Sequence, residues 1–76
     1  MHYYEKIKEL RLNKKLSQQQ VAELLELKQQ QYQRYESGVQ EIPLHLLIKL
    51  ADFYNVSLDY LAGRSDEAPA AEKQTG

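Results

Sequence analysis

Four glutamine amides and one guanidinium lie within a span of six residues near the middle of this chain. The set considered for function is Gln29, Gln30, Gln33 and Arg34, which Gln31 flanks. An amide can accept a hydrogen bond from N6 of adenine while it donates one to N7, and a guanidinium can donate two bonds to guanine. The same side chains also suit a helix face that contacts only water. The residue types therefore leave two interpretations open, a base-reading face and a solvated surface.

A helix over Gln29 to about Glu36 would place all four side chains on one side. At 100° per residue, with Gln29 at about 0°, the other three fall at roughly 40° to 140°. Tyr32 and Tyr35 fall at roughly 240° to 300°, on the opposite side. We expect these tyrosines in the core, with a stacking role as the alternative. Gly38 follows at the position where a left-handed residue often ends a helix.

The segment before this helix predicts another helix, from Gln18 to about Leu25. Ser17 is a good N-cap, and Gln20 three residues later completes a capping box. Leu16 and Val21 have the spacing of a hydrophobic staple, in which two apolar side chains pack across the start of a helix. These features specify the start of this helix locally.

The turn between the two helices is specified less well. Glu26 stands where such a turn usually has Gly, and a left-handed residue other than Gly costs roughly 1–2 kcal/mol. Lys28 is a poor N-cap for the second helix. Side chains and free N–H groups around helix ends can contact phosphates. The residues expected to do so are Gln18, Lys28, Ser37 and Gly38.

The remaining segments predict three more helices. Helix 1 is expected over Tyr3 to about Asn13, helix 4 over residues 43–55, and a short helix 5 after the N-cap Ser57. The apolar residues at core spacing in helix 4 are Leu44, Leu47, Ile48, Leu50, Ala51 and Tyr54. Short loops between five helices predict a compact all-α bundle over residues 1–63. Residues 64–76 are polar and are expected to form a disordered tail.

Composition argues against several classes of protein. Cys is absent and His2 lies far from His45, so disulfides are excluded and no metal site is expected. The chain has no apolar run of the roughly 18 residues that a membrane span needs, and its N-terminus lacks a signal peptide's apolar core. A cytoplasmic location is expected. We find no nucleophile–base pair and no phosphate-cradling loop, so neither an enzyme nor a cofactor is predicted.

Charge is distributed unevenly although the net charge is −1. Residues 1–40 contain seven Lys or Arg against five Glu, whereas residues 41–76 contain three basic against six acidic residues. The N-terminal half weakly favours anions. The cations of helix 1 and its end, Lys6, Lys8, Lys14 and Lys15, are expected to be solvated. A nucleic-acid binder with this balance would depend on geometry and hydrogen bonds.

The ordered pattern over residues 4–63 resembles a known family. It consists of Leu16-Ser17-Gln18, Val21-Ala22, Tyr32, Arg34-Tyr35-Glu36, Gly38, Pro43, Leu47-Ile48-Lys49-Leu50-Ala51 and Val56-Ser57-Leu58-Asp59-Tyr60-Leu61. It is similar to the XRE (Cro/C1-type) helix-turn-helix family of bacterial and phage regulators. The resemblance implies a lambda-repressor-like DNA-binding domain in which helices 2 and 3 form the helix-turn-helix and helix 3 enters the major groove.

The resemblance also implies roles for individual residues. Gln18, Gln29 and Gln30 match three amides of similar phage repressors. In those proteins, the amide at the position of Gln18 binds phosphate and packs against the amide at the position of Gln29. It further suggests an ion pair between Arg11 and Glu36, with a phosphate contact by Arg11 as the alternative. Members usually bind a pseudo-palindromic operator in double-stranded DNA as dimers. The residues expected at a homodimer surface are Tyr54, Leu58 and Tyr60.

Three functions remain as hypotheses. The first is a sequence-specific transcriptional regulator, expected to be a repressor, in the cytoplasm of a bacterium or of a phage host and associated with the nucleoid. The second is an antitoxin that binds both DNA and a partner protein. The third is an adaptor that binds only a regulatory protein partner, which the near-neutral charge favours and the amide face opposes, because adaptor helices usually present apolar anchors.

Overall fold

The computed structural model describes residues 2–63, which form five helices and no strand. The helices are α1 (Tyr3–Asn13), α2 (Gln18–Leu24), α3 (Gln29–Ser37), α4 (Leu44–Tyr54) and α5 (Leu58–Leu61). The predicted all-α, five-helix architecture is confirmed. The predicted disordered tail, residues 64–76, lies outside the described residues. Within residues 2–63, no helix has the length and apolar character needed to cross a membrane.

Local capping begins α2 and α5 where the sequence predicts. Ser17 Oγ accepts from Gln20 N at 3.0 Å, and Gln20 Oε1 accepts from Ser17 N at 2.8 Å, which completes the predicted capping box. Ser57 Oγ accepts from Tyr60 N at 3.0 Å in the same way. Pro43 differs by one position from the prediction, because it is the N-cap of α4 rather than its first residue. These caps satisfy amide donors that have no partner within the helix.

Three of the helices are followed by a left-handed residue that is not glycine. Lys15, Glu26 and Asn55 have φ angles of 59°, 60° and 57°. At the end of α2, Leu27 N donates to Ala22 O at 2.8 Å, across the left-handed Glu26. This i to i−5 bond is typical of a Schellman motif. The left-handed conformation predicted for Glu26 is therefore present, although the residue at this position is not the glycine that suits it.

The core lies between the five helices, and each helix contributes at least one buried apolar side chain. The most completely buried side chains are Ile7, Val21, Tyr32, Leu50 and Leu61. α3 packs against both α1 and α2, while α5 packs against α1 and α4. α1 therefore contacts both α3 and α5, so the first helix packs against the last one.

The predicted core face of α4 is right for Leu47, Leu50, Ala51 and Tyr54, which are all buried, and wrong for two residues. Leu44 and Ile48 are 63% and 43% exposed, although both were expected in the core, whereas Leu46 is only 7% exposed. α4 is apolar around more than half of its circumference, so its sequence allows more than one buried face. Packing against α5 and the rest of the core selects the face of Leu46, Leu50 and Tyr54.

Tyr54 was expected at core spacing in α4 and also at a dimer surface, and the structure confirms the core position. Tyr54 is 6% exposed and belongs to the core. Its hydroxyl is buried and has no hydrogen-bond partner among residues 2–63. Burial raises the pKa of this hydroxyl to about 12, so it stays neutral. Leu58 and Tyr60, the other two residues expected at that surface, are half-buried.

Lys6 also departs from the prediction of a solvated charge. It is 8% exposed, and its Nζ lies 3.9 Å from the centroid of the Tyr60 ring. This is the geometry of a cation–π interaction. This contact joins the first helix to the last.

Candidate nucleic-acid interface

The side chains of the predicted reading face are all solvent-exposed. They are Gln29, Gln30, Gln33 and Arg34. On the opposite side of α3, Tyr32 is 0% and Tyr35 is 5% exposed, which confirms that both tyrosines belong to the core. α3 therefore presents three amides and one guanidinium outward from a helix whose back is anchored by two aromatic rings.

The N-terminus of α3 has free donors. The first i to i−4 bond of this helix runs from Tyr32 N to Lys28 O at 3.1 Å, so the preceding amide N–H groups have no partner within the helix. Lys28 is the N-cap, and no side chain caps the helix there. The positive end of the helix dipole and the Lys28 ammonium thus lie beside Gln29. This arrangement favours an anion such as a phosphate near the start of the reading face.

A buried carboxylate joins three helices behind this face. Glu36 Oε2 accepts from Arg11 Nε at 2.8 Å and from Tyr32 Oη at 2.6 Å. Its Oε1 accepts from Arg11 Nη2 at 2.9 Å and from Gln18 Nε2 at 3.1 Å. The guanidinium binds the carboxylate with two parallel bonds, and its Nη1 donates to Leu16 O at 2.8 Å. The network links α1, α2 and α3 through one side chain.

These contacts decide the ionisation of Glu36. Burial alone raises the pKa of the carboxyl, but the hydrogen bonds from Arg11, Tyr32 and Gln18 together lower it below its ordinary value of 4.5. Tyr32 is affected in the opposite way, because burial and its bond to Glu36 raise the pKa of its hydroxyl. Glu36 is therefore charged and Tyr32 neutral at neutral pH.

Gln18 makes a contact that the resemblance does not imply. Its Nε2 donates to Glu36 Oε1 at 3.1 Å, while its expected packing against Gln29 and its expected phosphate contact stay predictions. Gln18 is half-buried, and the bond fixes the orientation of the amide. Its second N–H and its carbonyl oxygen make no hydrogen bond to residues 2–63. Gln18 thus connects the buried carboxylate to the surface that carries the reading face.

Ser37 and Gly38, which follow the reading face, make hydrogen bonds to backbone carbonyls in the last turn of α3. Gly38 has a φ of 82°, and its N–H donates to Tyr35 O at 3.2 Å. Gly38 therefore lacks a free donor, and the prediction that it contacts phosphate loses its physical basis. Ser37 is exposed, and its Oγ donates weakly to Arg34 O at 3.3 Å.

Two adjacent tyrosines of α1 contact this segment, and the sequence analysis missed them. A Cβ on Gly38 would lie 2.9 Å from the Tyr4 ring, so the ring covers the glycine closely. Tyr3 Oη accepts from Ile42 N at 3.0 Å and lies 3.4 Å from Gln40 O. No local pattern indicates contacts across nearly forty residues, so sequence reasoning had no basis for finding them.

Gln31 is a further polar residue at the edge of the reading face. It is half-buried, and its Nε2 donates to Tyr35 Oη at 2.8 Å. This bond leaves the hydroxyl proton of Tyr35 free to donate elsewhere. The three amides of the reading face, in contrast, make no hydrogen bond to another side chain of residues 2–63. They are therefore available for an external partner.

Comparisons with known proteins agree on one family. A family model described as Helix-turn-helix matches residues 7–61. The chain is 34% identical over 73 residues to the uncharacterized HTH-type transcriptional regulator YobD of Bacillus subtilis, covering 95% of this chain and 65% of that protein. It is 38% identical to an uncharacterized HTH-type transcriptional regulator of Rickettsia prowazekii, and this match covers 84% of this chain and 49% of that protein.

A third relative matches with similar identity and coverage. It is the HTH-type transcriptional regulator AnsR of Bacillus subtilis, 36% identical over 67 residues, covering 88% of this chain and 58% of that protein. The chain thus spans about half to two thirds of the length of these curated relatives. No solved structure matches the chain significantly.

Proposed function

Because the chain belongs to the XRE (Cro/C1-type) helix-turn-helix family of transcriptional regulators, we propose that it binds double-stranded DNA sequence-specifically. α3 enters the major groove, and Gln29, Gln30, Gln33 and Arg34 contact base edges. The amides favour adenine and the guanidinium favours guanine. Gln18, Lys28 and Ser37 contact the flanking phosphates and fix the register of α3 on the duplex.

The exposed amide face of α3, set on a rigid back, is the observation that carries this proposal. Base reading is favoured when the helix that carries the side chains is held in place before contact, since groups that are ordered only on binding lose conformational entropy. Tyr32 and the Glu36 network hold α3 from behind. The free donors at the start of α3 suit phosphate. The near-neutral net charge matters less when geometry is fixed in this way.

We further propose that the protein acts as a homodimer on a pseudo-palindromic operator and represses transcription by covering a promoter. A dimer presents two copies of α3 to successive turns of the major groove. Leu58 and Tyr60 are half-buried, and Leu44 and Ile48 are exposed on α4. These apolar side chains support a protein contact on the side formed by α4 and α5. Tyr54 takes no part, because it is buried.

A selection experiment tests the proposed DNA reading. The protein is mixed with random duplexes at several salt concentrations, and the retained DNA is sequenced. We expect a palindromic consensus that disappears when Gln29 and Gln30 are both replaced by Ala. Gln19→Ala, which removes an exposed amide of α2 outside the reading face, should leave the consensus unchanged. Retention of no duplex at low salt, or retention without sequence preference, would contradict the proposal.

An antitoxin is the alternative function. The exposed apolar side chains of α4, with Glu41 and Asp52 exposed beside them in the chain, favour a protein partner over a purely solvated surface. In this case the same α3 binds DNA, and the C-terminal half binds and neutralises a second protein. Isolation of a stable complex with a separate protein, lost in Leu44→Asp, would favour the antitoxin. A protein that purifies alone as a dimer would favour the regulator.

A further inference from the structure

The hydroxyl of Tyr3 is joined to the end of the reading helix by a short path of hydrogen bonds. We propose that Tyr3 is a positioning residue for DNA reading, which fixes the C-terminal end of α3 and thereby the side chain of Arg34. The inference rests on the proposed function, since it assigns a role to Arg34 at the DNA. It adds a residue of α1, outside the helix-turn-helix, to those that decide sequence preference.

The path runs through the backbone of Gln40. Tyr3 Oη accepts from Ile42 N at 3.0 Å and donates to Gln40 O at 3.4 Å. Gln40 N in turn donates to Arg34 O at 3.1 Å. Gln40 is thus held on both sides, by the tyrosine hydroxyl at its carbonyl and by the reading helix at its amide.

The bond to Arg34 O is important because the last carbonyls of a helix have no partner within it. Arg34 O accepts from Gln40 N and, more weakly, from Ser37 Oγ. Loss of the Tyr3 hydroxyl frees the segment around Gln40, and the last turn of α3 loses a fixed capping group. Arg34 is the base-reading residue nearest to that turn.

The opposite end of α3 is held by other contacts. Gln29 and Gln30 follow the turn from α2, which is closed by the bond from Leu27 N to Ala22 O at 2.8 Å. Tyr3 contributes nothing to that turn. An effect of Tyr3 on DNA binding should therefore be coupled to Arg34 and not to Gln29, whereas a general loss of folded protein would affect both alike.

Tyr3→Phe isolates the hydroxyl. It keeps the ring, which packs edge-on against Tyr4 with 5.7 Å between centroids. The matched control is Tyr4→Phe, which is the same change at the next residue. The Tyr4 hydroxyl makes no hydrogen bond within residues 2–63, and its ring remains over Gly38 in the variant.

A double-mutant cycle with the selected operator tests the proposal. Tyr3→Phe removes both hydrogen bonds of the hydroxyl, and because it acts on DNA only through the end of α3 we expect it to weaken operator binding about threefold. Tyr4→Phe should leave operator binding unchanged. In an Arg34→Ala background, Tyr3→Phe should have almost no further effect. In a Gln29→Ala background, the full factor of about three should remain, because uncoupled changes are additive. The Ile42 amide of the free Tyr3→Phe protein should exchange with solvent faster.

The outcomes separate the two proposals. Equal losses in the Arg34→Ala and Gln29→Ala backgrounds, with wild-type binding intact, would overturn the role of Tyr3 alone. Unchanged exchange of the Ile42 amide in Tyr3→Phe would overturn it as well, without any use of DNA. If the wild-type protein selects no duplex, the proposed function fails, and the role of Tyr3 fails with it.

Discussion

Arg11 and Glu36 form a two-bond ion pair, with Nε 2.8 Å from Oε2 and Nη2 2.9 Å from Oε1. The pair connects α1 to the last turn of α3, and both side chains are almost completely buried. Two further donors, Tyr32 Oη and Gln18 Nε2, complete the coordination of the carboxylate. The reading helix is therefore fixed to the rest of the fold by a buried charge rather than by its own turn.

Removal of the carboxylate charge should destabilise the protein strongly. Glu36→Gln leaves the buried guanidinium of Arg11 without a counter-charge, and breaking a buried pair in this way typically costs about 3–5 kcal/mol. We expect a loss of about 3 kcal/mol in the free energy of unfolding, measured by urea denaturation. Glu23→Gln, an exposed change on α2, should cost less than about 0.5 kcal/mol. Similar losses in the two variants would contradict the role of the pair.

The same carboxylate predicts a pH dependence at acid pH. The pKa of Glu36 is lower in the folded protein than its ordinary value of 4.5, so below that pH the unfolded chain binds more protons than the folded one. The free energy of unfolding should therefore fall as the pH drops from about 4.5 through the folded pKa. Denaturation at a series of pH values should show a shallower fall for Glu36→Gln. Parallel profiles for the two proteins would refute this.

Two buried tyrosine hydroxyls should respond oppositely to the same substitution. Tyr54 Oη has no partner in the described part of the chain, so Tyr54→Phe removes an unsatisfied polar group and should raise the free energy of unfolding by about 1 kcal/mol. Tyr32 Oη donates to Glu36 at 2.6 Å, so Tyr32→Phe should lower it by about 1.5–3 kcal/mol. Thermal and urea unfolding of both variants measure the difference. A loss of stability in Tyr54→Phe would reveal a partner for that hydroxyl.

The turn of the helix-turn-helix should be improved by glycine. Glu26 has a φ of 60°, and a left-handed residue with a side chain costs roughly 1–2 kcal/mol. Glu26→Gly should therefore stabilise the protein by about 1 kcal/mol in urea denaturation, after allowance for the entropy of glycine in the unfolded chain. Glu23→Gly, inside α2, should instead destabilise it by about 1 kcal/mol. A loss at position 26 would mean that the side chain of Glu26 has a stabilising contact.

Lys28 should contribute to DNA affinity without affecting sequence preference. It precedes the free donors of α3, where a phosphate is favoured. Lys28→Ala should weaken binding to all duplexes by a similar factor and reduce the salt slope of log K by about 1. Lys49→Ala, an exposed change on α4, should leave the slope unchanged. An altered consensus in Lys28→Ala would show that this residue contacts a base.

Local features made most of the helices predictable. The caps at Ser17 and Ser57 and the left-handed residues Glu26, Gly38 and Asn55 each act within a few residues, so the sequence alone indicates them. The opposed amide and tyrosine faces of α3 follow from helical periodicity. These features define the elements but not how the elements pack against one another.

Most of the errors concern packing between distant elements. The predicted burial of Leu44 was wrong because the orientation of α4 depends on the core it meets. Lys6 was expected to be solvated, but it lies over an aromatic ring of α5. The Tyr3 hydroxyl contacts a segment that begins 37 residues later in the chain. No short-range rule connects residues separated by such distances.

The contact between the first and last helices has a consequence for synthesis of the protein. Lys6 contacts the ring of Tyr60, and Tyr3 accepts a hydrogen bond from the amide of Ile42. Because these partners come much later in the chain, α1 leaves the ribosome long before they are synthesised. Until residue 61 emerges, the nascent chain exposes the apolar side of α1 and of the helices that follow. Because domains generally fold as units, this one should acquire its structure in a single late step, after translation of α5.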